Sequence, residues 1–297
     1  MLCRQVGVKD IIVFLNKIDL VADEEMHELV EMEVRELLSH YDYDGEKTTF
    51  IKGSALCALN GTEPAIGKEA MKKLTEAMDA VFRDPVREVS KDFLMSIEGS
   101  LNIAGRGVVA TGTVDQGKCK INDEVHLTGF RRKPTPCVIT GIETFHKLLP
   151  HAEAGDNVGV LLRGVTKEQI RRGMTLTKPN SVEVRRNAEA EIYVLKPEEG
   201  GRSKPFHTGY RPQCFIRTAD VAADVTLPAD VQMALPGDNL NIKMKLNFPL
   251  PISMGQRFAF REGGKTVAAG VITKLLEDSE ADIKEEEERI ALAKKKT

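Results

Sequence analysis

Close to residue 83 the hydrophobic period of this chain changes, and no single sheet or bundle accommodates both halves. Before that point, short apolar runs alternate with helical patterns. IIVFLN (11–16) is followed by DEEMHELVEMEVRELLSHY (23–41), where Met26, Leu29, Val30, Val34, Leu37 and Leu38 recur at helical spacing behind Asp23, an N-cap residue type. TTFIKG (48–53) reads as a second short strand. GKEAMKKLTEAMDAVF (67–82) reads as a second helix, with Met71, Leu74, Met78, Val81 and Phe82 on one side. Strand, helix, strand, helix implies a parallel α/β layer. Past the charged stretch RDPVREVSKD (83–92) the period becomes two. RGVVATGTV (106–114), NDEVHLTGF (122–130), PCVITGIETF (136–145) and DNVGVLLRGV (156–165) are punctuated by Gly, Asn and Asp at short intervals, which predicts a closed antiparallel barrel. KPNSVEV (178–184) marks a second boundary, and another β-rich block follows. The expected organisation is an α/β segment over 1–83, a linker over 84–92, barrels over 93–182 and 183–276, and a charged extension over 277–297. In that extension Glu285 and Arg289 form an i,i+4 pair, which predicts a solvated helix that frays at the terminus.

Bulk properties narrow the function classes. A chain of 297 residues fits two or three domains. No apolar run reaches the roughly 18 residues a membrane-spanning helix needs, so membrane insertion is not expected. The stretch MLCRQVGVKD has no apolar core of the secretory kind. Cys3, Cys57, Cys119, Cys137 and Cys214 are dispersed without a C-x-x-C, and read as reduced thiols, neither a disulfide frame nor a zinc site. Charge is uneven: −7 over residues 1–92, +7 over 93–276 and −3 over 277–297. A basic body fits a polyanionic partner such as RNA.

The first strand runs directly into Asn16-Lys17-Ile18-Asp19. In this N-K-x-D string the Asp carboxylate can accept hydrogen bonds from N1–H and the exocyclic amine of guanine, a donor pair that adenine lacks. Asn16 can bond the O6/N7 side and pin the loop, and Lys17 can lay its aliphatic stem over the ring. After the second strand comes Gly53-Ser54-Ala55-Leu56, where small side chains let a backbone N–H reach the guanine O6. Loops at the carboxyl ends of parallel strands are where α/β sheets bind ligands. A polar turn that merely caps a strand is the structural alternative. Phosphate-binding strings are missing: G-x-x-x-x-G-K-[ST] does not occur, and GTEPAIGKEA (61–70) has one residue too many between its glycines and Glu69 where a hydroxyl is required. DYDG (42–45) and DNVG (156–159) lack the strand-then-switch context. Phosphoryl transfer therefore has no machinery within this sequence. Six dispersed histidines support no Ser-His-Asp or Cys-His set.

Several long strings together resemble the elongation factor Tu family of translational GTPases. RQVGVKDIIVFLNKIDLV, MEVRELLSHYDYDG and GSALCAL resemble the second half of its G domain. IAGRGVVATGTVDQG, AGDNVGVLLRGV and RRGMTLTKP resemble its second domain. EAEIYVL, EEGGRSKPFHTGYRPQCFIRTADV, LPGDN and RFAFREGGKTVAAGVI resemble its third. The resemblance implies an α/β remnant of a P-loop-type G domain followed by two antiparallel β-barrels. It implies GTP or GDP with Mg²⁺ as cofactors, and aminoacyl-tRNA, the ribosome and a nucleotide-exchange factor as partners. Guanine-reading roles fall to Asn16, Lys17, Asp19, Ser54, Ala55 and Leu56. Roles facing tRNA fall to Glu98, Arg106, Glu143, Asn157, Gln213 and Arg261. No phosphate or Mg²⁺ residue is carried over, because those positions lie before the resemblance begins. The extension past Leu276 points to an organellar member in the mitochondrial matrix, with cytoplasm or plastid as alternatives.

The sequence departs from the family on the RNA side. The pattern P-I-E-D-x-F-x-I reads SIEGSLNI (96–103), with Gly99 for the acid and Leu101 for the aromatic. Losing a stacking face for adenine costs about 1–3 kcal/mol where such stacking occurs. His146 stands where the family often has Arg, and T-D-V-T-G has become ADVAAD, with Ala222 in place of a hydroxyl. A G domain without its first strands has unpaired sheet edges and uncovered apolar helix faces. The rival expectation is therefore a non-catalytic structural subunit or paralogue, using its barrels as a protein or RNA dock inside a larger assembly that covers the sheet edge.

Overall fold

A computed structural model describes residues 3, 8–21, 23–103 and 105–294, with side chains up to Arg289. Two compact units divide the chain, Met1–Val86 and Arg87–Thr297.

The first unit contains β1 (Ile12–Leu15), α1 (Glu24–His40), β2 (Thr49–Lys52), α2 (Ala55–Asn60) and α3 (Lys68–Val81). The strands pair in parallel, from Ile12 opposite Thr49 to Leu15 opposite Lys52. Asp23 caps α1 by accepting the Glu25 N–H at 3.0 Å. Arg35 ties α1 to the loop before β2. It donates to the carbonyls of Gly45, Glu46 and Thr48, pairs with Glu31, and lies 4.3 Å over the Phe50 ring. The short α2 has no sequence period of its own and exists because Ser54 caps it. Among the described residues the buried apolar ones here are Ile51, Cys57 and Ala70, whereas Met26, Leu29, Met32 and Leu37 of α1 are exposed. A two-stranded sheet covers too little area to bury the apolar stripe of α1.

The second unit holds two barrels. Strands β3 (Leu94–Ile103), β4 (Gly107–Gln116), β5 (Lys118–Lys120), β6 (Glu124–Thr128), β7 (Thr135–Thr144), β8 (Lys147–Leu148), β9 (His151–Glu153), β10 (Asn157–Arg163) and β11 (Thr175–Thr177) build the first. Neighbours run β10-β4-β3-β11-β6-β7, and β7 pairs back with β10 to close the ring. Alternation drives the closure: Val108, Ala110 and Val114 of β4 face inward against Met95, Ile97, Ile139 and Leu162. Gly112 is required where β3 bulges, since a Cβ there would stand 1.9 Å from the Ser96 carbonyl oxygen.

The second barrel comprises β12 (Val184–Val194), β13 (Gln213–Ile216), β14 (Ala219–Thr226), β15 (Asn239–Pro251), β16 (Arg257–Glu262) and β17 (Lys265–Leu276), closed in the order β12-β15-β14-β13-β16-β17. The barrels meet through the Phe130 N–H, which donates to Pro249 O at 2.7 Å, and through Arg171, whose guanidinium lies 3.3 Å over Phe130 and 5.4 Å from Phe248. Burial holds the Asp115 carboxyl above its ordinary value, and the Ser96 hydroxyl and then the Arg217 charge offset only part of that.

The extension corrects the expectation of a fraying, solvated helix. It forms α4 (Glu280–Lys294), and the expected Glu285–Arg289 pair is present at 2.7 Å. Yet Asp282 and Glu286 are buried. Asp282 and Glu285 answer Arg186, which occupies an inward position of β12 between buried Val184 and Ala188 and is itself buried, while Glu286 answers Arg132. A cation taken out of water needs partners, and the acidic helix provides them.

Candidate functional site

Both candidate guanine loops leave the carboxyl ends of the paired strands. Gly53 N–H donates to Leu15 O at 3.0 Å, and Ile18 N–H to Gly53 O at 3.4 Å. The side chain of Asn16 then joins the loops directly, its Oδ1 accepting the Ala55 N–H at 3.0 Å. This is the pinning role read from the sequence. Gly53 sits where three neighbours converge: an added Cβ would lie 2.6 Å from Ala70 Cβ, 2.8 Å from Phe14 Cζ and 2.9 Å from Ile66 O. Ser54 is buried, and its hydroxyl accepts the Cys57 N–H at 3.2 Å, capping α2. Lys17 is exposed and holds a left-handed backbone at φ 64°, a strained conformation for a side-chain-bearing residue. Leu56 is exposed at the start of α2. Asp19 is the middle residue of a 3-10 turn, Ile18–Leu20, and its Oδ1 is buried without a hydrogen-bond partner.

Of the RNA-side candidates, the first barrel brings three together. Asn157 on β10 lies opposite Thr113 on β4 and donates from Nδ2 to Thr113 Oγ1 at 3.3 Å. Thr113 Oγ1 donates in turn to Glu98 Oε1 at 3.2 Å. The Thr144 hydroxyl, next to Glu143, donates to Asn157 O at 2.8 Å. Glu143 pairs with the fully exposed His146 at 3.6 Å. Phe145 and His146 form a turn with φ of 45° and 62°, and Phe145 is 90% exposed. Sequence reading missed Thr113, which bridges Glu98 and Asn157; its outward phase on β4 was the available signal. Arg106 does not join the group. It lies in the turn between β3 and β4, roughly 20 Å along the strands from Thr113.

On the second barrel, Gln213 of β13 lies directly opposite Arg261 of β16 and, on its other side, opposite Ala222 of β14. The Arg261 guanidinium is 5.4 Å over the Phe215 ring. Nearby, Tyr210 donates its hydroxyl to Glu262 at 3.0 Å, and Arg202 pairs with the same carboxylate at 3.0 Å. Burial, with Glu262 adding to it, pushes the Tyr210 hydroxyl up to about 12. Among the described residues no group of three or more His, Cys, Asp or Glu could hold a metal ion, and no helix is long and apolar enough to cross a membrane.

Three family models match the chain in succession. Residues 1–84 match the elongation factor Tu GTP binding domain. Residues 107–177 match elongation factor Tu domain 2. Residues 181–276 match the elongation factor Tu C-terminal domain.

Proposed function

This chain is an elongation factor Tu-like protein, and on that premise we propose that its first unit reads the guanine base of GTP or GDP, while its two barrels hold aminoacyl-tRNA for delivery to the ribosome. The observation that carries the guanine reading is Asp19. Its Oδ1 is buried without a partner in a loop that Asn16 has already locked to Ala55. Guanine can donate N1–H and its exocyclic amine to this carboxylate, a donor pair that adenine lacks. Asn16 sets the distance between the loops, and Lys17 covers one face of the ring. The matched residues 1–84 contain no phosphate-binding string, so the role proposed for them is base recognition.

On the RNA side, the linked Glu98, Thr113 and Asn157 present a carboxylate, a hydroxyl and an amide, groups that suit ribose hydroxyls and base edges at a single-stranded terminus. Arg261 beside Gln213 suits a phosphate. Leu101, 61% exposed, offers contact area without an aromatic face. A second reading is a docking subunit. It draws on the exposed apolar residues of α1 beside a sheet that has two strands among the described residues.

Titration of the chain with a fluorescent GDP, with GTP as competitor, tests the proposal. Binding that weakens about 10- to 100-fold on Asp19→Asn supports guanine reading. Absence of binding to the folded chain overturns it, and the docking reading then takes its place.

A further inference from the structure

We infer that residues 277–289 are a strap that couples the two barrels, with its two ends in energetic communication. One carboxylate touches both barrels. Asp278 Oδ1 accepts the backbone N–H of Arg186 at 3.0 Å and Asn187 Nδ2 at 2.9 Å, both on β12 of the second barrel. Its Oδ2 accepts Arg132 Nη2 at 2.8 Å, from the loop between β6 and β7 of the first. Further along α4, Glu286 Oε1 accepts the Arg132 backbone N–H at 2.7 Å, and its Oε2 lies 3.5 Å from Arg132 Nε. Arg132 is therefore held by its side chain and its main chain together.

The rest of the helix face grips the second barrel. Asp282 pairs with Lys245 at 2.5 Å and accepts Asn187 Nδ2 at 3.0 Å. Glu285 pairs with Arg186 at 3.0 Å. Arg289 donates to Asn247 O at 2.9 Å and Oδ1 at 3.0 Å. Positions 282, 285, 286 and 289 recur at helical spacing along α4, so one face carries the contacts of its described side chains, and Asp278 adds its own from two residues before the helix. Ser279 and Asp282 fix its start through a reciprocal cap, Asp282 N–H to Ser279 Oγ at 3.2 Å and Ser279 N–H to Asp282 Oδ2 at 3.0 Å.

Packing alone does not hold the first-barrel end. A pocket of about 530 Å³ lies between the 131–136 segment and α4, lined by Arg131, Arg132, Pro134, Ile283, Glu286 and Glu287. The Arg132 contacts span its edge. A helix that only capped the second barrel would need none of them.

The test is hydrogen exchange of the full chain, read by mass spectrometry, in two variants at opposite ends of the strap. Arg132→Gln removes the first-barrel grip, and Lys245→Gln, at a half-exposed second-barrel position, weakens the other. Coupling is reciprocal. Arg132→Gln speeds exchange of the α4 amides about tenfold, and Lys245→Gln speeds exchange of residues 129–136 in the first barrel by a comparable factor. If Lys245→Gln leaves 129–136 at the wild-type rate, or Arg132→Gln leaves α4 unchanged, the helix is a cap on one barrel and the strap is refuted.

Discussion

Replacing Gly53 by alanine is the sharpest perturbation of the guanine loops. The added methyl meets Ala70 Cβ at 2.6 Å, Phe14 Cζ at 2.8 Å and Ile66 O at 2.9 Å, all closer than van der Waals contact. Two of these belong to packed backbone or a short side chain, so neither can swing aside. Overpacking of this kind costs about 1–3 kcal/mol. The unit that absorbs the cost is poorly endowed, with Ile51, Cys57 and Ala70 as the buried apolar residues among those described. The displaced segment is the one whose Ala55 N–H meets Asn16, so relaxation of the clash pulls the loops apart. The same free energy appears as a 5- to 150-fold loss of GDP affinity, about tenfold for each 1.4 kcal/mol. The assay is a fluorescent-GDP titration of both forms beside hydrogen exchange of the β1 and β2 amides. Unchanged affinity together with unchanged exchange would refute the claim that Gly53 positions the loop by close contact.

Arg186→Met preserves much of the side-chain length and removes the buried charge, leaving Leu246 O and Asp282 O without their donor; chemical denaturation should show about 3–5 kcal/mol of lost stability, and a loss below about 1 kcal/mol contradicts the role given to Arg186. For acid sensitivity, burial pushes Asp282 up, but hydrogen bonds from Lys245, Ser279 and Asn187 outweigh it and hold the carboxyl well below its ordinary 3.8. Glu285 is likewise raised by burial but held below its ordinary 4.5, by Arg186 first. Groups with depressed folded values stabilise fully above their unfolded values and lose that contribution as pH falls through the folded ones. Protection of the α4 amides, corrected for the intrinsic pH dependence of amide exchange, should therefore hold down to about pH 5 and fall progressively below it, and a loss already complete at about pH 5 is the contrary result. Burial pushes the Cys119 thiol up to about 12 and Cys137 to about 11, and raises Cys214 further, while Cys3 is exposed. A chromogenic thiol reagent should take one equivalent quickly from the folded chain and the rest only on unfolding.

Much of this was legible because the signals are local. An apolar strand running into N-K-x-D states both the strand and its loop, and glycine-punctuated alternation states the barrels. What escaped is long-range. Glu98, Thr113 and Asn157 meet only because β3, β4 and β10 are neighbours in a closed ring, an order set by closure and not by any one string. Arg106 was grouped with them by resemblance and lies at the far end of the same hairpin. The α4 contacts had two half-signals: a cation in the inward phase of VEVRRNAEAEIYV, and acids at helical spacing after Leu276. Each is bland alone, and their pairing spans the whole second barrel. α2 is too short to show a period and depends on the Ser54 cap.

The buried Arg186 also bears on modularity. Similarity draws the edge of the third matched stretch at Leu276, and a protein engineer transplanting this barrel would cut there. Charge compensation draws it elsewhere, since the anions that neutralise Arg186 lie at 282 and 285. A graft ending at Leu276 carries an orphaned cation into its new host, whereas one that includes residues 277–289 carries its own counterions. For this barrel the portable unit is defined by where its electrostatics close, and the similarity boundary falls inside it.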